Sequence, residues 1–231
     1  MKVGMFLRSF STRSSRYIIH KDESDSDHDH QADDDGEAWT SVTVWRKSLV
    51  FSCRGFTVID SNGELVYRVD NYIGAQPEEL VLMDGSGHPI LTLVRQKRKV
   101  LQSWLVYKGE SGRANSFTEP MYSVKKQINI MGASSSSSSS STRVLANVYS
   151  GEPNKKKLAY TIRGSYPHRS CKILEGATGN KVVAEIKRKE TIMKSGEGLS
   201  FGMEVFVLAL QPGFDRGVAM GLVLLLDQMF S

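Results

Sequence analysis

The chain has 231 residues and a net charge of +5, with 40% apolar and 24% charged residues. This length is sufficient to bury a substantial core, and the composition excludes a wholly disordered or wholly membrane-embedded protein. Two cysteines, Cys53 and Cys171, exclude a disulfide framework and cannot form a metal site alone. They are expected to be buried free thiols in a reducing compartment.

The first 38 residues lack the apolar periodicity of a folded segment. Residues 1–21 carry basic groups and no acids, whereas residues 22–37 carry nine acids and no Lys or Arg. This composition predicts a disordered tail over residues 1–38. Beyond position 37 the chain has 25 basic and 16 acidic residues, a balance that suits an anionic membrane surface or nucleic acid, and equally an ordinary solvated β surface.

From Trp39 to Gln211 the chain consists of short β-branched and aromatic runs broken by Gly, Asn, Asp and Pro. Most runs have roughly five to nine residues, the usual length of a strand. No run between them has the period and length of a helix, which argues against parallel βαβ units. Twelve strands are predicted, near positions 42–47, 55–60, 64–70, 79–84, 89–95, 100–108, 120–125, 143–149, 158–163, 170–174, 181–189 and 203–211.

Three segments, residues 58–66, 82–90 and 174–182, combine an apolar strand end, an acid, a short turn with Gly and a second apolar strand. Gly supplies the positive φ of a tight reversal and the acid can accept hydrogen bonds from turn amides, so structural turns are predicted. The serine run at 134–141 falls between the seventh and eighth strands. It predicts a flexible loop insertion over residues 132–142, or alternatively a domain linker.

The C-terminal segment predicts a helix that is apolar on every side. Asp215 can cap it, residues 217–226 are uninterruptedly apolar, and Asp227 and Gln228 close it. Such a helix must be surrounded by protein or by lipid. Ten apolar residues rise only about 15 Å, against a hydrocarbon core of roughly 30 Å, so no transmembrane span is predicted.

The helix is therefore predicted to be a buried core element, in which two glycines four residues apart let neighbouring strands approach its axis. The structural residues predicted for it are Gly217, Gly221, Leu222, Leu224 and Leu225. Many short antiparallel strands and one helix that needs burial on all sides predict a mainly β fold. The predicted architecture is a twelve-stranded closed antiparallel β-barrel that encloses the C-terminal apolar α-helix.

Several segments, in order, resemble the plant LURP-one-related family. They are residues 39–51, 55–60, 63–72 and 84–90, the basic segment 95–99 before Trp104, and Asp215 with the apolar helix that ends at Asp227. The resemblance covers about residues 39–231. It implies the tubby-like fold, a twelve-stranded barrel around a C-terminal helix that the tubby and phospholipid-scramblase families share. It also implies a role in plant defence or stress and, through the tubby relatives, phosphoinositide binding, but it supplies no site residue.

No motif supports enzymatic chemistry. Residues 196–202 have the wrong glycine spacing for a dinucleotide loop and precede a strand rather than a helix. Residues 25–29 begin like a calcium loop, but His30 occupies the position that needs Gly. No Ser, Cys or Asp stands beside a base in a recognisable motif. A non-enzymatic protein without cofactor or metal is therefore predicted.

Basic residues in alternating positions form the candidate binding site. Arg95, Lys97 and Lys99 alternate along one segment, and Lys187 and Lys189 along another, so each row is expected to share one strand face. Such rows can bind lipid phosphates, each residue contributing on the order of 1 kcal/mol at an anionic surface. The alternative is a solvated outer barrel face that discourages aggregation.

The leading hypothesis is a cytoplasmic module, acting at a peripheral membrane site or in the nucleus, that binds anionic phospholipid or phosphoinositide or tethers an unidentified protein partner. Two alternatives are a nucleic-acid-associated regulator and a scramblase-like lipid-handling protein. Nucleic acid is the less favoured ligand. The short helix and the missing calcium loop argue against a scramblase.

Overall fold

The computed structural model describes residues 38–51, 53–72, 78–96, 103–110, 119–127, 143–150, 157–176, 179–192, 198–200 and 202–231. The predicted tail, apart from Ala38, and the whole of the predicted serine-rich insertion at 132–142 lie outside the described residues. The described elements are β1 (Thr40–Trp45), β2 (Cys53–Ile59), β3 (Leu65–Tyr72), β4 (Glu79–Asp84), β5 (Pro89–Gln96), β6 (Ser103–Lys108), β7 (Tyr122–Lys126), β8 (Val144–Ser150), β9 (Lys157–Ser165), β10 (Ser170–Glu175), β11 (Lys181–Arg188), β12 (Glu190–Ile192), β13 (Gly198–Ser200), β14 (Val205–Leu210) and α1 (Arg216–Phe230).

Twelve of these strands form a closed antiparallel barrel in the order β1-β14-β11-β10-β9-β8-β7-β6-β5-β4-β3-β2. Consecutive strands pair with each other except at the closure, where β14 lies between β11 and β1. The predicted twelve-stranded barrel is therefore confirmed. Closure gives every described barrel strand two partners and removes the exposed edges that an open sheet would have.

A separate two-stranded hairpin, formed by β12 and β13, lies in the chain between β11 and β14. This hairpin was not predicted from the sequence. Each of its strands has only three residues, which is too short for an alternating pattern to be recognised.

Alternate residues of each barrel strand face the interior. In β14, Phe206, Leu208 and Leu210 are buried, whereas the residues between them are half-buried on the outer wall. Val42 and Val44 have the same arrangement in β1. Because side chains alternate between the two faces of a strand, these apolar positions at intervals of two line a continuous core.

The helix α1 occupies that core, and Leu222, Leu224 and Leu225 are buried in it. Asp215 caps the helix by accepting a hydrogen bond from the Val218 amide at 2.8 Å. The helix continues to Phe230, beyond the predicted end at Asp227 and Gln228, because the Asp227 carboxylate is bound within the protein. In the described part of the chain, no helix is both long enough and apolar enough to cross a bilayer.

The two helix glycines lie where neighbouring side chains come close. A Cβ added at Gly221 would lie 3.1 Å from Leu91 Cδ1, and one added at Gly217 would lie 3.5 Å from Ile90 Cγ2. Both neighbours belong to β5. Gly221 therefore allows a closer approach between the helix and this strand than a residue with a Cβ would, whereas 3.5 Å at Gly217 is an ordinary van der Waals distance.

Two of the predicted turns have the expected hydrogen bonds. Asp60 Oδ1 accepts from the Asn62 and Glu64 amides at 2.8 and 2.9 Å, and Asp84 Oδ1 accepts from the His88 amide at 2.9 Å. This backbone hydrogen bond lowers the pKa of the Asp84 carboxyl. The predicted amide-binding role of the two acids is confirmed.

Candidate functional site

The two ends of the barrel carry opposite charge. One end, where α1 finishes, comprises the connections after β1, β3, β5, β7, β9 and β11; the opposite end holds the other connections and the start of α1. The count covers the described connections, the two residues of each strand that lie nearest the end in question, and the adjoining end of the helix. By this count the first end has eleven basic and five acidic residues. The opposite end has four basic and seven acidic residues. We call the first the basic end; its cations are Arg46, Lys47, Arg54, Arg95, Lys125, Lys126, Arg143, Arg169, Lys187, Arg188 and Lys189.

Several of these cations continue the interior-facing register of their strands. Arg95 follows Leu91 and Leu93 at intervals of two, and both leucines are buried beside the helix. Arg188 follows the buried Ile186, and Lys126 the buried Val124, in the same way. These side chains therefore begin at the inner lip of the barrel, around the last turn of α1. We call the set the cationic rim: Arg46, Arg54, Arg95, Lys126, Arg169 and Arg188.

A buried carboxylate in the last turn of α1 organises part of the rim. Asp227 Oδ1 accepts hydrogen bonds from Arg46 Nε at 2.8 Å, Tyr166 Oη at 3.2 Å and Ser231 Oγ at 2.8 Å. Burial, together with the neighbouring Asp227 carboxylate, raises the pKa of the Tyr166 hydroxyl. Tyr166 is therefore a neutral donor, and Arg46 supplies the positive charge that compensates Asp227.

Arg169 holds the turn between β9 and β10 against β14. Its guanidinium is buried between two aromatic rings, 4.3 Å from the Tyr166 centroid and 4.5 Å from the Phe206 centroid. Its Nε donates to the Met203 carbonyl at 2.8 Å. Cation–π contacts of this kind contribute more when they are shielded from water. Arg169 thus stabilises the rim from inside and does not face solvent.

The end of α1 itself attracts cations. Lys126 Nζ donates to the Met229 carbonyl and lies 4.5 Å from the centroid of the Phe230 ring. The last carbonyls of a helix carry the negative end of its dipole, so a cation there is stabilised. The sequence orders the charges accordingly, with Asp215 at the start of the helix and Lys126 at its end.

Four cations of the basic end are exposed, and their side chains have neither a carboxylate partner nor a hydrogen-bond acceptor among the described residues: Lys47, Arg54, Lys125 and Arg143. Arg188 is also exposed and unpaired with a carboxylate, but its Nε donates to the His168 carbonyl at 3.1 Å. The ammonium groups of Lys47 and Lys125 each lie 5.2 Å from an aromatic centroid, of Trp45 and of Tyr149 respectively. Because no described acid neutralises them, these side chains can bind an external anion.

The predicted basic rows occupy different environments. Arg95 is half-buried at the inner lip, opposite Trp104 in the neighbouring strand. Lys97 and Lys99 lie outside the described residues, in the connection between β5 and β6. Their predicted shared face with Arg95 stays a prediction.

The second row lies on the outer wall. Lys187 forms an ion pair with Glu185, and Lys189 Nζ donates to Thr43 Oγ1 at 2.9 Å. Burial lowers the pKa of the Lys189 ammonium. In the barrel order β11 and β5 are six strands apart. The structure therefore brings Arg95, Lys187 and Lys189 to one end of the barrel, on opposite sides of it.

The connection between β1 and β2 exposes three consecutive apolar side chains, which the sequence analysis did not single out. Leu49, Val50 and Phe51 are 56%, 41% and 94% exposed. Below them the Ser48 hydroxyl, which is buried, donates to Asp70 Oδ1 and accepts from the Val50 amide at 3.0 Å. In the sequence this apolar run resembles the end of a strand. Its one distinguishing signal is that it lacks the alternation of the strands beside it.

These features define a class of protein: an antiparallel barrel of twelve strands that closes around its own C-terminal helix and is cationic at one end. The model of the LURP-one-related family matches residues 40–227. The chain belongs to the LURP-one-related family, as the resemblance predicts.

Two relatives illustrate the match. The chain is 49% identical to protein LURP-one-related 17 of Arabidopsis thaliana over 203 residues. These residues cover 87% of this chain and 87% of the relative. It is 42% identical over 196 residues to protein LURP-one-related 8 of the same plant, covering 85% of this chain and 90% of the relative. An X-ray structure of an Arabidopsis thaliana protein is similar, with a TM-score of 0.54 and 23% identity, covering 82% of this chain and 90% of that one, which supports the fold.

Proposed function

We propose that this protein is a non-enzymatic binding module that recognises the anionic headgroups of membrane phospholipids through the basic end of its barrel. The observation that carries the proposal is the charge asymmetry among the described residues, eleven basic against five acidic at one end and four against seven at the other. A body with this asymmetry orients in the field of an anionic surface, with its basic end towards that surface.

The exposed cations provide the donors that a phosphate needs. Arg54 and Arg143 can each donate two parallel hydrogen bonds to one phosphate, and Lys47 and Lys125 act as mobile point charges. At about 1 kcal/mol for each cation near an anionic leaflet, four cations contribute about 4 kcal/mol. That free energy corresponds to a Kd of roughly 1 mM, so the electrostatic term alone supports weak, reversible and salt-sensitive binding.

We place this binding at the cytoplasmic face of the membrane. Cys53 and Cys171 are both free thiols, which persist in a reducing compartment. The cytoplasmic leaflet is also the anionic one. The role in plant defence or stress that the family resemblance implies stays a prediction.

The absence of catalysis is part of the proposal. Asp227 and Tyr166 are buried ionisable groups at the basic end, and they are hydrogen-bonded to each other. Arg46 completes this network by pairing with the same carboxylate. These groups are occupied in holding the helix to the barrel wall, which favours a structural role for them.

Vesicle co-sedimentation tests the proposal. Binding should require phosphatidylserine in phosphatidylcholine vesicles and should fall as salt rises, since the Debye length is about 8 Å at physiological ionic strength. Changing Lys47, Arg54 and Lys125 together to Gln should weaken binding several-fold and leave Tm nearly unchanged, because exposed charges contribute little to stability. The predicted row of Arg95, Lys97 and Lys99 is tested in the same way.

The matched control changes three cations of the opposite end, Lys108, Lys157 and Lys181, to Gln. It removes the same charge and should leave vesicle binding intact. Equal losses in the two variants would mean that only net charge matters. Absence of binding to any vesicle at low salt would refute the proposal. Tighter binding to duplex DNA than to vesicles at equal phosphate concentration would favour the nucleic-acid alternative.

A further inference from the structure

The apolar triplet of the β1–β2 connection has no counterpart elsewhere in the described ranges. Seven large apolar side chains are exposed in the described ranges. Three form the triplet, and the other four are isolated from one another in the chain: Trp39, Trp45, Met121 and Met203. Single exposed apolar residues are ordinary, whereas a contiguous exposed group marks an interaction site. Phe51, at 94% exposed, contributes almost no buried surface to the fold.

Hydrogen bonds hold this connection in its outward position. Thr57 Oγ1 donates to the Lys47 carbonyl at 2.7 Å, just before the triplet. Ser48 is bound to Asp70, which in turn accepts from Arg68 Nε at 2.9 Å. The Cys53 amide donates to the Val50 carbonyl at 3.2 Å. These contacts fix the backbone on both sides of the triplet, so its exposure follows from the fold.

Cations and an amphipathic ring surround the triplet. Lys47 precedes it and Arg54 follows it, both exposed and without a described carboxylate partner. Trp45 is 36% exposed, and Lys47 Nζ lies 5.2 Å from its centroid. Tryptophan and long basic side chains are typical of the membrane–water boundary, where one part of each is apolar and the other is solvated.

We propose that Leu49, Val50 and Phe51 insert into the headgroup–acyl boundary of an anionic membrane while Lys47 and Arg54 bind the lipid phosphates around them. This inference rests on the proposed function and names the part of the basic end that anchors it. Lipid is the occupant that fits, because the apolar tip is bordered by cations and lies at the cationic end of the barrel. Stable attachment to a membrane generally takes two signals, and apolar insertion supplies the second.

Phe51→Ser in the full chain tests the insertion. It should weaken binding to phosphatidylserine-containing vesicles on the order of tenfold, because the insertion of one aromatic side chain is lost. The control is Met121→Ser, which removes an exposed apolar side chain at the opposite end and should bind as the wild type does. Phe51→Ser should keep the wild-type Tm, because Phe51 is 94% exposed, and both variants are assayed at a temperature at which circular dichroism shows them folded.

A second measurement reports depth. Phe51→Trp should show fluorescence quenching by lipids brominated on their acyl chains, in excess of the quenching of the wild-type chain, and Met121→Trp should not. Vesicle binding that is equal in the wild type and Phe51→Ser, without excess quenching of Phe51→Trp, would overturn the insertion and leave the proposed function intact. A wild type that binds no anionic vesicle would overturn both. A concentration-dependent dimer that Phe51→Ser abolishes, with unchanged vesicle binding, would assign the triplet to self-association and overturn the insertion.

Discussion

Replacing Asp227 by Ala should destabilise the barrel by removing the acceptor that three donors share. Tyr166 is 1% exposed, so its hydroxyl would stay buried after losing its acceptor, at a cost of about 1–3 kcal/mol. Arg46 is 35% exposed in its side chain, so solvent screens it and its lost ion pair accounts for only about 1 kcal/mol. We therefore expect the free energy of unfolding to fall by about 2–4 kcal/mol.

Thermal and urea unfolding followed by circular dichroism measure this change. For a domain of this size about 1 kcal/mol corresponds to roughly 2–4 °C, so Tm should fall by roughly 4–16 °C. Glu204→Ala is the matched control, because Glu204 lies 3.6 Å from the same Arg46 but its side chain is 57% exposed. It should change the free energy of unfolding by less than about 0.5 kcal/mol.

A second variant isolates the hydroxyl. Combining Tyr166→Phe with Asp227→Ala removes the orphaned donor and should recover part of the lost stability. The reasoning is refuted if Asp227→Ala melts with the wild type, if Glu204→Ala costs as much, or if Tyr166→Phe makes the Asp227 variant still less stable.

Gly221→Val should lower the free energy of unfolding by about 1–3 kcal/mol, because its Cβ would already lie 3.1 Å from Leu91 Cδ1; an unchanged urea midpoint would contradict this. Burial raises the pKa of the Cys171 thiol from 9.0 to about 12, so the folded state holds this proton more tightly than the unfolded state. The stability that this group contributes is complete below pH 9 and is lost as pH rises towards 12, at up to about 1.4 kcal/mol per pH unit. Urea midpoints should therefore fall more between pH 8 and pH 10 in the wild type than in Cys171→Ala, and equal falls would count against it. A chain beginning at Ala38 should melt within a few degrees of the full chain, since residues 1–37 lack an apolar pattern; aggregation of the shortened chain would count against that expectation.

The strands and the enclosed helix were predictable because each depends on a local pattern. Phe206, Leu208 and Leu210 alternate as a half-buried strand requires, and an apolar helix without a polar face must be enclosed. The number of strands then favours closure, since an open sheet would leave edges exposed. These features need only short stretches of chain to be recognised.

The basic end was not predictable in the same way, because its contacts join residues that are far apart in the sequence. Asp227 and Arg46 are separated by 181 positions, and Asp227 resembles a helix terminator until Arg46 lies beside it. Arg95 was grouped with Lys97 and Lys99 from its spacing, whereas its place at the inner lip follows from its alternation with Leu91 and Leu93, which are buried beside α1. Lys189 appears solvated in the sequence and is half-buried because Thr43, from β1, lies beside it.

The position of α1 has a consequence for biosynthesis. The element that fills the core follows all fourteen described strands, and β14, which completes the ring by pairing with β1 and β11, comes just before it. A ribosome that has not yet released residues 205–230 therefore holds strands with neither their closing partner nor the apolar surface they pack against. Such a nascent chain exposes Val, Leu and Ile side chains that are dry in the finished protein, which makes it a substrate for chaperones that bind apolar segments. Closure of this barrel accordingly waits until residues 205–230 have left the ribosome, and truncation shortly before Arg216 removes the element against which the interior-facing side chains pack.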